Sequence, residues 1–398
     1  AGGKGAFCLG VSLRMKKIII TLSGLLVALG FMTGAAQAEI TIGAAGPMTG
    51  PFAIFGERMK RGAEQAVADL NAAGGVLGQR VKVVIGDDAC DPKQAVAVAN
   101  SMANKGISFI AGHFCSGSSI PASDVYSAER ILLISPASTN PKLTERGLDN
   151  VFRVCGRDDE QGTIAGDFLA DNFGGKRVAI AHDKQTYSKS LADAAKVQLN
   201  KRGINENMYE TINAGEKDYA AFVTKVKRNK IDVLYYGGYH AEAGLIVREM
   251  RAQGMATVLV SGDDLGTAKY WAIAGAAGQG TLMTYSPDPR KSAYAKSAVE
   301  AMRKAGFEPE GNALYTYAAI QVWAQAAAKA GSTDLAKMSK FLYSNTFQTV
   351  LGDITFNGKG DIKQPAYVWY EWHDGKFAEK SVPLKRPEKT QPDQGHKN

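Results

Sequence analysis

The chain has 398 residues, of which 45% are apolar and 22% are charged, and its formal net charge is +8 at pH 7. This is the composition of an ordinary globular protein with enough apolar residues for the cores of two domains. The basic excess is mild, and no basic stripe interleaved with aromatic residues accompanies it, which argues against nucleic acid as a partner.

The first 38 residues have the layout of a secretory signal. The basic start Met-Lys-Lys at 15–17 precedes the apolar stretch IIITLSGLLVALGFM, and small residues follow at Ala36 and Ala38. A short apolar core that closes on an A-x-A pattern predicts a cleaved signal rather than a membrane anchor, with cleavage after Ala38. We therefore expect the mature protein to be exported and soluble. Residues 1–14 lie upstream of this signal and enter no fold argument.

Apolar strands alternate with amphipathic helices from Glu39 onward. In the first helix, apolar residues recur every three to four positions, and Asp91 is placed to cap the second helix, with Pro92 in its first turn. The predicted elements are strand 39–45, helix about 56–73, strand 81–87, helix about 91–106, and strands 107–112 and 131–135. This alternation predicts a parallel sheet wound with helices.

The same alternation begins again after about residue 157. The predicted elements are strand 176–183, helix about 187–203, strand 208–213, helix about 218–229, strand 231–238, a further helix, strands 257–262 and 280–287, helices about 289–305 and 312–330, and late strands 354–356 and 366–372. We interpret the chain as two similar α/β lobes, each with its own sheet. The polar, proline-containing tail at 386–398 is predicted to be disordered.

Three cysteines follow the signal: Cys90, Cys115 and Cys155. Export favours disulfide formation. Cys90 and Cys115 each follow a predicted strand in the same half of the chain, so we expect them to pair and leave Cys155 as a thiol near a domain edge. Metal binding is disfavoured, because the chain has no C-x-x-C motif and its histidines are scattered.

Small hydroxyl-bearing loops follow two neighbouring strands, HFCSGSS at 113–119 and SPAST at 135–139. In open parallel sheets, ligands bind beyond the carboxyl ends of the strands. Ser116, Thr139 and the backbone around Ala137 lie at or near helix N-termini, which stabilise a carboxylate through unpaired N–H groups.

Other strand ends supply complementary groups. Asp263, after the strand TVLVSG, would attract an ammonium. The aromatic residues at strand ends would cover an uncharged side chain; they are Phe55, Phe114, Tyr187 and Tyr239. Each residue alone is ordinary, because a serine at a helix start is usually a cap and a tyrosine after a strand usually packs. Together, at one edge of the sheets, they predict a cleft for a zwitterion with an apolar group.

An enzyme is the alternative class, and the sequence disfavours it. The serine-rich loop CSGSS lacks the G-x-S-x-G pattern of a hydrolase nucleophile. The chain has no H-E-x-x-H, Walker A or G-x-G-x-x-G motif, and GAAGQG at 275–280 has the wrong glycine spacing.

Several segments together resemble the periplasmic leucine/isoleucine/valine-binding proteins of bacterial ABC importers. They include GPMTGPFAIFG, AEQAVADLNAAGG, DDACDPKQAVAVAN, GHFCSGSSIPASDVY, AHDKQTYSKSLA, AGEKDYAAFVTKVK and DVLYYGGYH, and the resemblance runs from about Glu39 to Lys376. It implies a type I periplasmic-binding fold, in which two doubly wound parallel-sheet lobes are joined by a three-crossover hinge. It also implies a periplasmic, monomeric protein that closes on an amino acid, docks onto a membrane permease, and needs no cofactor and performs no catalysis.

The resemblance also implies lobe boundaries. We expect lobe 1 to comprise 39–157 and 286–365, and lobe 2 to comprise 158–285 and 366–385.

Carried over residue by residue, the resemblance assigns roles to the same strand-end residues. The hydroxyl ligand of the carboxylate is Ser116, the backbone ligand and the hydroxyl of the P-A-x-T loop are Ala137 and Thr139, and the tyrosines of the second lobe are Tyr187 and Tyr239. Asp263 stands where the best-known members have glutamate, and Asp264 is expected to point elsewhere. Phe55 lacks the polar tip of the tyrosine or tryptophan found at that position, and Phe114 stands where a smaller aliphatic residue is common.

Relatives of this fold bind other amino acids, aromatic acids or amides, and some are sensors rather than importers. These remain the alternative functions. An acid at position 263 argues against uncharged amides, which would leave it buried and unpaired at a cost of several kcal/mol.

Overall fold

The computed structural model describes residues 1–3 and 39–381. The predicted signal, within residues 4–38, and the predicted tail at 386–398 lie outside the described residues. Within the described part, none of the helices has the length and apolar character needed to cross a membrane.

The first sheet has five strands in the order β2-β1-β3-β4-β5. Its strands are β1 (Glu39–Gly46), β2 (Arg80–Asp87), β3 (Phe109–Gly112), β4 (Leu132–Ser135) and β5 (Val151–Arg153). The pairs β1–β3, β3–β4 and β4–β5 are parallel, as the alternating pattern predicted. The intervening helices are α1 (Ala53–Ala72), α2 (Pro92–Asn104), α3 (Ser116–Ala128) and α4 (Lys142–Glu145).

The second sheet has seven strands in the order β14-β13-β10-β9-β8-β6-β7. They are β6 (Val178–His182), β7 (Met208–Thr211), β8 (Val233–Gly237), β9 (Val258–Ser261), β10 (Leu282–Tyr285), β13 (Val368–His373) and β14 (Lys376–Glu379). Its helices are α5 (Asp158–Phe173), α6 (Thr186–Lys201), α7 (Ala220–Arg228), α8 (His240–Ala252) and α9 (Ala268–Ala274). Only β13 and β14 run antiparallel to their neighbours among the paired strands of this sheet in the described chain.

The segment between β10 and β13 returns to the first sheet. It forms α10 (Lys296–Lys304), α11 (Asn312–Ala330), α12 (Leu335–Ser344) and the hairpin of β11 (Phe347–Thr349) and β12 (Gly352–Ile354). These elements share a buried apolar core with the first sheet. Trp323 of α11, for example, stacks on Phe109 of β3 with ring centroids 5.2 Å apart. The chain therefore passes between the two sheets three times, which agrees with the predicted two-lobe α/β fold.

Local signals explain the clearest helix start. The side chain of Asp91 accepts hydrogen bonds from the backbone N–H groups of Lys93 and Gln94, and Pro92 occupies the first turn of α2. The predicted cap at Asp91 is confirmed, and it orients the chain directly after Cys90.

Two predicted elements are wrong in their bounds. The helix predicted at about 289–305 is α10 alone, preceded by two 3-10 turns at Pro289–Lys291 and Ala293–Ala295. Each of these turns is capped by its own side chain, Asp288 or Ser292, which separates them from the helix. The strand predicted at 354–356 is β12, which ends at Ile354 because it pairs with β11 in a hairpin.

Several short elements are absent from the sequence prediction: β5, β11, β14, α4, α9 and α12. Most are too short to produce a recognisable period, because three or four residues hold at most two repeats of a strand or about one turn of a helix.

Candidate functional site

One cavity lies where the carboxyl ends of strands from both sheets meet. It contains about 400 Å³ of empty space, part of it open to solvent. All eight residues selected from the sequence line it, namely Phe55, Phe114, Ser116, Ala137, Thr139, Tyr187, Tyr239 and Asp263. Three more residues complete the lining: Asp264, Tyr285 and Asn312. The rule that ligands bind beyond the carboxyl ends of parallel strands (the strand-end rule) therefore selected residues that lie together in the structure.

The three further lining residues differ in whether the sequence gives a reason to select them. Tyr285 is the last residue of β10, so the strand-end rule could have found it. Asn312 begins α11 and follows no strand, so the sequence carries no signal for it. Asp264 was expected to point elsewhere, and this expectation is wrong in part, because Asp264 also lines the cavity.

A larger opening of about 1240 Å³, including open solvent, lies at the crossovers between the sheets. Its lining includes Ser286, Tyr315 and Lys363, and none of the eight selected residues. The ends of β5 and β10 reach this opening at Val154 and Ser286, but none of the loops after β3, β4 and β9 lines it. Those three loops all line the smaller cavity, which is therefore the better candidate for a ligand.

The hydroxyl wall of the cavity is built by the loops after β3 and β4. Ser116 is buried and is the first residue of α3, so this wall is also the N-terminal end of a helix. The backbone N–H of Asn140 donates to Ser116 Oγ at 3.2 Å. The hydroxyls of Ser119 and Ser138 lie 2.5 Å apart and join the two loops. Such a wall offers hydroxyls and helix N–H groups to an anion.

A buried arginine holds the second of these loops from behind. Arg153 donates to the carbonyl oxygens of Ser138 and Asn140, at 2.8 and 3.0 Å. Its Nε atom donates to Asp361 Oδ1 at 2.6 Å, on the third crossover. The two carbonyls on either side of Thr139 are therefore fixed, which positions the Thr139 hydroxyl at the cavity.

Asp263 forms the acidic wall. It lies in a 3-10 turn directly after β9, and the Tyr187 hydroxyl donates to its Oδ1 at 2.7 Å. Burial raises the pKa of Asp263 from 3.8 to about 6; the hydrogen bond from Tyr187 lowers it, and the charge of Asp264 raises it by a smaller amount. Burial away from water disfavours the charged form of a carboxyl group.

Asp264 is engaged differently from its neighbour. Its Oδ2 accepts the backbone N–H of His240 at 2.8 Å and lies 2.8 Å from His240 Nδ1. This contact anchors the start of α8 and therefore the adjacent Tyr239. Asp264 thus supports the second-lobe wall, while Asp263 lines the cavity and accepts the Tyr187 hydroxyl.

Aromatic rings close the rest of the cavity. Phe55 and Phe114 stack at 4.4 Å between ring centroids, with planes 15° apart. Tyr187 and Tyr239 pack at 5.1 Å on the other side. The rings of His240 and Phe55 pack edge to face, with centroids 5.6 Å apart. Such rings can cover an apolar group while the tyrosine hydroxyls stay available for hydrogen bonds.

The two lobes touch across the cleft. Phe52, before α1, packs on Tyr239 of the second lobe with ring centroids 4.6 Å apart. The Asn140 side-chain amide donates to the carbonyl oxygen of Thr186 at 3.0 Å. The structure therefore has a closed cleft, with walls contributed by both sheets.

The predicted disulfide is confirmed. Cys90 and Cys115 are bonded, with Cα atoms 5.5 Å apart, and they link the loops after β2 and β3 just before Ser116. Cys155 is a buried free thiol at the first crossover, and burial raises its pKa to about 12. Over the described residues, no cluster of three or more histidine, cysteine or acidic side chains forms a metal site.

Chemically, the cavity offers an anion-stabilising wall, an acid without a cation and an apolar cover. These features hold a small ligand by charge and hydrogen bonds.

Comparison with known proteins gives a consistent result. A sequence model of the family described as "Periplasmic binding protein" matches residues 39–376. The chain is 47% identical to a Leu/Ile/Val-binding protein homolog 1 of Brucella melitensis, over 86% of this chain and 94% of that protein. It is 49% identical to an amino acid binding protein of Pseudomonas aeruginosa, over 86% of this chain and 92% of that protein.

Solved structures give the same picture at lower sequence identity. A leucine binding protein of Thermotoga maritima superposes with a TM-score of 0.80 at 27% identity, covering 86% of this chain and 98% of that one. A branched-chain amino acid transporter substrate binding protein of Streptococcus pneumoniae, in complex with isoleucine, superposes with a TM-score of 0.78 at 27% identity, covering 87% of this chain and 99% of that one.

Proposed function

The chain belongs to the periplasmic binding protein family, and on that basis we propose that it is the substrate-binding component of an ABC importer for an apolar, branched-chain amino acid. It is a binding protein and not an enzyme, and it has the two-lobe type I fold of that family. Its relatives named as Leu/Ile/Val-binding proteins, at about 47% identity over most of both chains, support the ligand class.

One observation carries the proposal. Residues from several separate strand ends, brought from both lobes, converge on one cavity with an acid on one wall and a hydroxyl-bearing helix start on the other. A free amino acid presents an ammonium and a carboxylate on one carbon, so it can engage both walls at once. A ligand that lacks either charge would leave one wall without a partner.

The roles of the residues follow from this orientation. The carboxylate is taken by Ser116, the backbone at Ala137 and Thr139, and the ammonium by Asp263 with Tyr187 beside it. The side chain lies against the aromatic cover of Phe55, Phe114 and Tyr239.

The lobe boundaries stay a prediction, at 157/158, 285/286 and 365/366. The membership of the strands supports it, because β1–β5 form one sheet and β6–β10 with β13 and β14 form the other. Opening and closing would occur at these three crossovers.

The wider role follows from the family. The protein captures its ligand in the periplasm and delivers it to a membrane permease, whose ATPase supplies the energy. Export by a signal cleaved after Ala38 and a monomeric state belong to this proposal. A receptor role for the same binding event remains the alternative, and it differs only in the membrane partner.

The proposal is tested by ligand screening. The mature protein is unfolded, freed of ligand, refolded and screened by thermal shift against the twenty amino acids, because such proteins can retain ligand through purification. We expect leucine, isoleucine or valine to give the largest rise in melting temperature, with dissociation constants confirmed by calorimetry.

Two sets of controls define the specificity. The des-amino acid 4-methylpentanoate lacks only the ammonium of leucine, and the amide acetamide lacks both charges, so both should give little or no shift. A larger shift with 4-hydroxybenzoate or an amide than with any amino acid would contradict the proposal.

A further inference from the structure

A buried arginine lies between the two lobes, beside the cavity but outside its lining. Arg58 belongs to α1, and its side chain is only 4% exposed. An arginine is rarely buried unless it is paired, because its charge and its N–H groups lose their hydration. The two terminal nitrogens of Arg58 have different partners, and these partners belong to different lobes.

The first partner of Arg58 is Glu310, in the segment between β10 and β13. Arg58 Nη2 donates to Glu310 Oε2 at 2.6 Å. The guanidinium also lies over the ring of Phe55, 5.5 Å from its centroid. Helix α1 and the segment between β10 and β13 share one core with the first sheet, so both contacts stay within the first lobe. They hold the guanidinium in place on that lobe.

The second partner is the backbone of Gly266. Arg58 Nη1 donates to the Gly266 carbonyl oxygen in a long, buried hydrogen bond of 3.5 Å. Gly266 directly follows the 3-10 turn Asp263–Leu265, after β9 of the second sheet, and its N–H donates to the Asp263 carbonyl oxygen at 3.0 Å. The cation of the first lobe is therefore bonded to the end of the turn that carries the acidic wall.

Two glycines show how closely the lobes approach at this point. Tyr285, the last residue of β10, lies beside the contact. A Cβ atom on Gly266 would lie 3.2 Å from the Tyr285 ring. A Cβ atom on Gly311, next to Glu310 in the first lobe, would lie 2.8 Å from the Tyr285 hydroxyl and 3.3 Å from Arg58 Nη1. The lobes thus meet here without space for another side chain.

Lobe opening should break one of the two Arg58 bonds and keep the other. Arg58 and Gly266 are 208 positions apart and lie on opposite sides of the crossovers, so rotation about the crossovers separates them. Arg58 and Glu310 move together. A contact made only in the closed state shifts the equilibrium toward that state, and so lowers the apparent dissociation constant of any ligand that the closed cleft holds.

We propose that Arg58 is an interlobe latch: Glu310 holds it on the first lobe, and it bonds the Gly266 carbonyl when the cleft closes, which slows release of the ligand. Arg58 is a positioning residue, because it does not line the cavity. Its effect should be the same for every ligand on which the cleft closes. This inference deepens the proposed function and rests on its closure step.

The latch has a kinetic signature that a packing role lacks. The ligand enters the open cleft, where the bond from Arg58 to Gly266 does not exist, so the association rate should not depend on it. The ligand leaves after the cleft opens, which breaks the bond, so the dissociation rate should depend on it. Loss of a packing contact would instead lower the melting temperature of the ligand-free protein.

The test is stopped-flow fluorescence with L-leucine and L-alanine on mature protein freed of ligand by unfolding and refolding. The dependence of the observed rate on ligand concentration gives both rate constants. Arg58→Met keeps much of the side-chain length and removes every donor. Arg61→Met is the matched control, because Arg61 lies on the same helix, is 48% exposed, and forms its ion pairs with Glu57 and Glu64 of that helix.

We expect Arg58→Met to release both amino acids about three- to tenfold faster than wild type, from the loss of one hydrogen bond. The association rate should stay within about twofold. The ligand-free melting temperature should stay within about 2 °C, because the ion pair with the half-exposed Glu310 contributes little. Arg58→Lys can keep the bond to Glu310 but lacks the second nitrogen, so it should also release faster than wild type. Arg61→Met should match wild type in all three measurements.

Wild-type release rates in both Arg58 variants would overturn the proposal. A loss confined to the association rate, or one that differs between leucine and alanine, would also overturn it, because Arg58 would then act on the open site or on the ligand's side chain. If Arg58→Met fails to fold, Arg58→Lys decides alone. If neither amino acid binds wild type but 4-hydroxybenzoate does, the proposed amino-acid function falls. The latch is then measured with 4-hydroxybenzoate, and it falls only if release of that ligand is also unchanged.

Discussion

Replacing Asp263 with asparagine separates amino-acid binding from the other ligand classes of this fold. The substitution keeps the shape of the side chain and removes the charge that we assign to the ligand's ammonium. The carboxyl group of Asp263 lines the cavity and accepts a hydrogen bond from the Tyr187 hydroxyl at 2.7 Å, and none of the ion pairs among the described residues includes it. The charge is therefore available to a ligand, and its removal should act on binding directly.

The expected loss of affinity is large. Removing one partner of a buried charge pair costs about 3–5 kcal/mol, which is more than a hundredfold in affinity. Ser116→Ala removes one hydrogen bond to the ligand's carboxylate, for about 1.5–3 kcal/mol. Asp263→Asn should therefore weaken binding more than Ser116→Ala does.

The stability of the ligand-free protein should change in the opposite direction. The pKa of Asp263 is raised from 3.8 to about 6, so its charged form destabilises the fold above about pH 6, and the cost disappears as pH falls below about 4. A rise of about two pKa units corresponds to about 3 kcal/mol, and we expect a fraction of that because the side chain is partly open to the cavity. Asp263→Asn should thus melt higher than wild type at pH 7 without ligand and show no such gain at pH 4.

Calorimetry measures the affinities, and thermal melts at pH 4 and pH 7 measure the stability change. Asp374→Asn, in the exposed turn between β13 and β14, makes the same chemical change outside the cavity and should leave both quantities unchanged. Asp264→Asn is a poorer control than the sequence suggested, because Asp264 pairs with the buried His240. If Asp263→Asn binds amino acids as tightly as wild type, the ammonium is held elsewhere and the orientation of the ligand proposed above is wrong.

Three further predictions follow from the closed cleft and the disulfide. A non-reducing peptide map should link Cys90 to Cys115 and leave Cys155 reactive only after denaturation; reduction should cost about 3 kcal/mol, and a link from Cys155 to either partner would contradict the disulfide assignment. Small-angle scattering should show a smaller radius of gyration when a tight amino acid is added, and no change with stoichiometric ligand bound would argue against lobe closure. Asn140→Ala, which removes the interlobe bond to Thr186, should weaken all bound amino acids by a similar factor in calorimetry; a change in their ranking would mean that Asn140 instead contacts the side chain.

Sequence reasoning found the elements that local patterns specify. The α/β alternation, the cap at Asp91 and the pairing of Cys90 with Cys115 agree with the structure. These features depend on residues within one or two turns, or on the rule that parallel strands end at one edge of a sheet. The same rule, with the family resemblance, selected eight residues that the structure brings around one cavity.

Other features have no local signal. Asn312 lines the cavity from the start of a helix in the return segment, and it does not directly follow a strand. The clamp of Arg153 on the Thr139 loop depends on Asp361, which is separated from Arg153 by 208 positions. Neither Arg153 nor Asp361 is distinctive in the sequence, because the residue types of an ion pair do not show whether the pair is buried or exposed.

The sequence by itself determined the fold class, the positions of the strand-end residues and the disulfide, because hydrophobic period, helix caps and turn residues act over a few positions and combine into few topologies. Only the tertiary structure decided which acidic side chains are buried, which have a hydrogen-bond or ion-pair partner, and which line the cavity. Asp263 and Asp264 are neighbouring acids directly after β9 and both line the cavity, but Asp263 accepts the Tyr187 hydroxyl whereas Asp264 is bound to His240. Burial and distance set these differences, and both arise only when segments remote in the chain pack together.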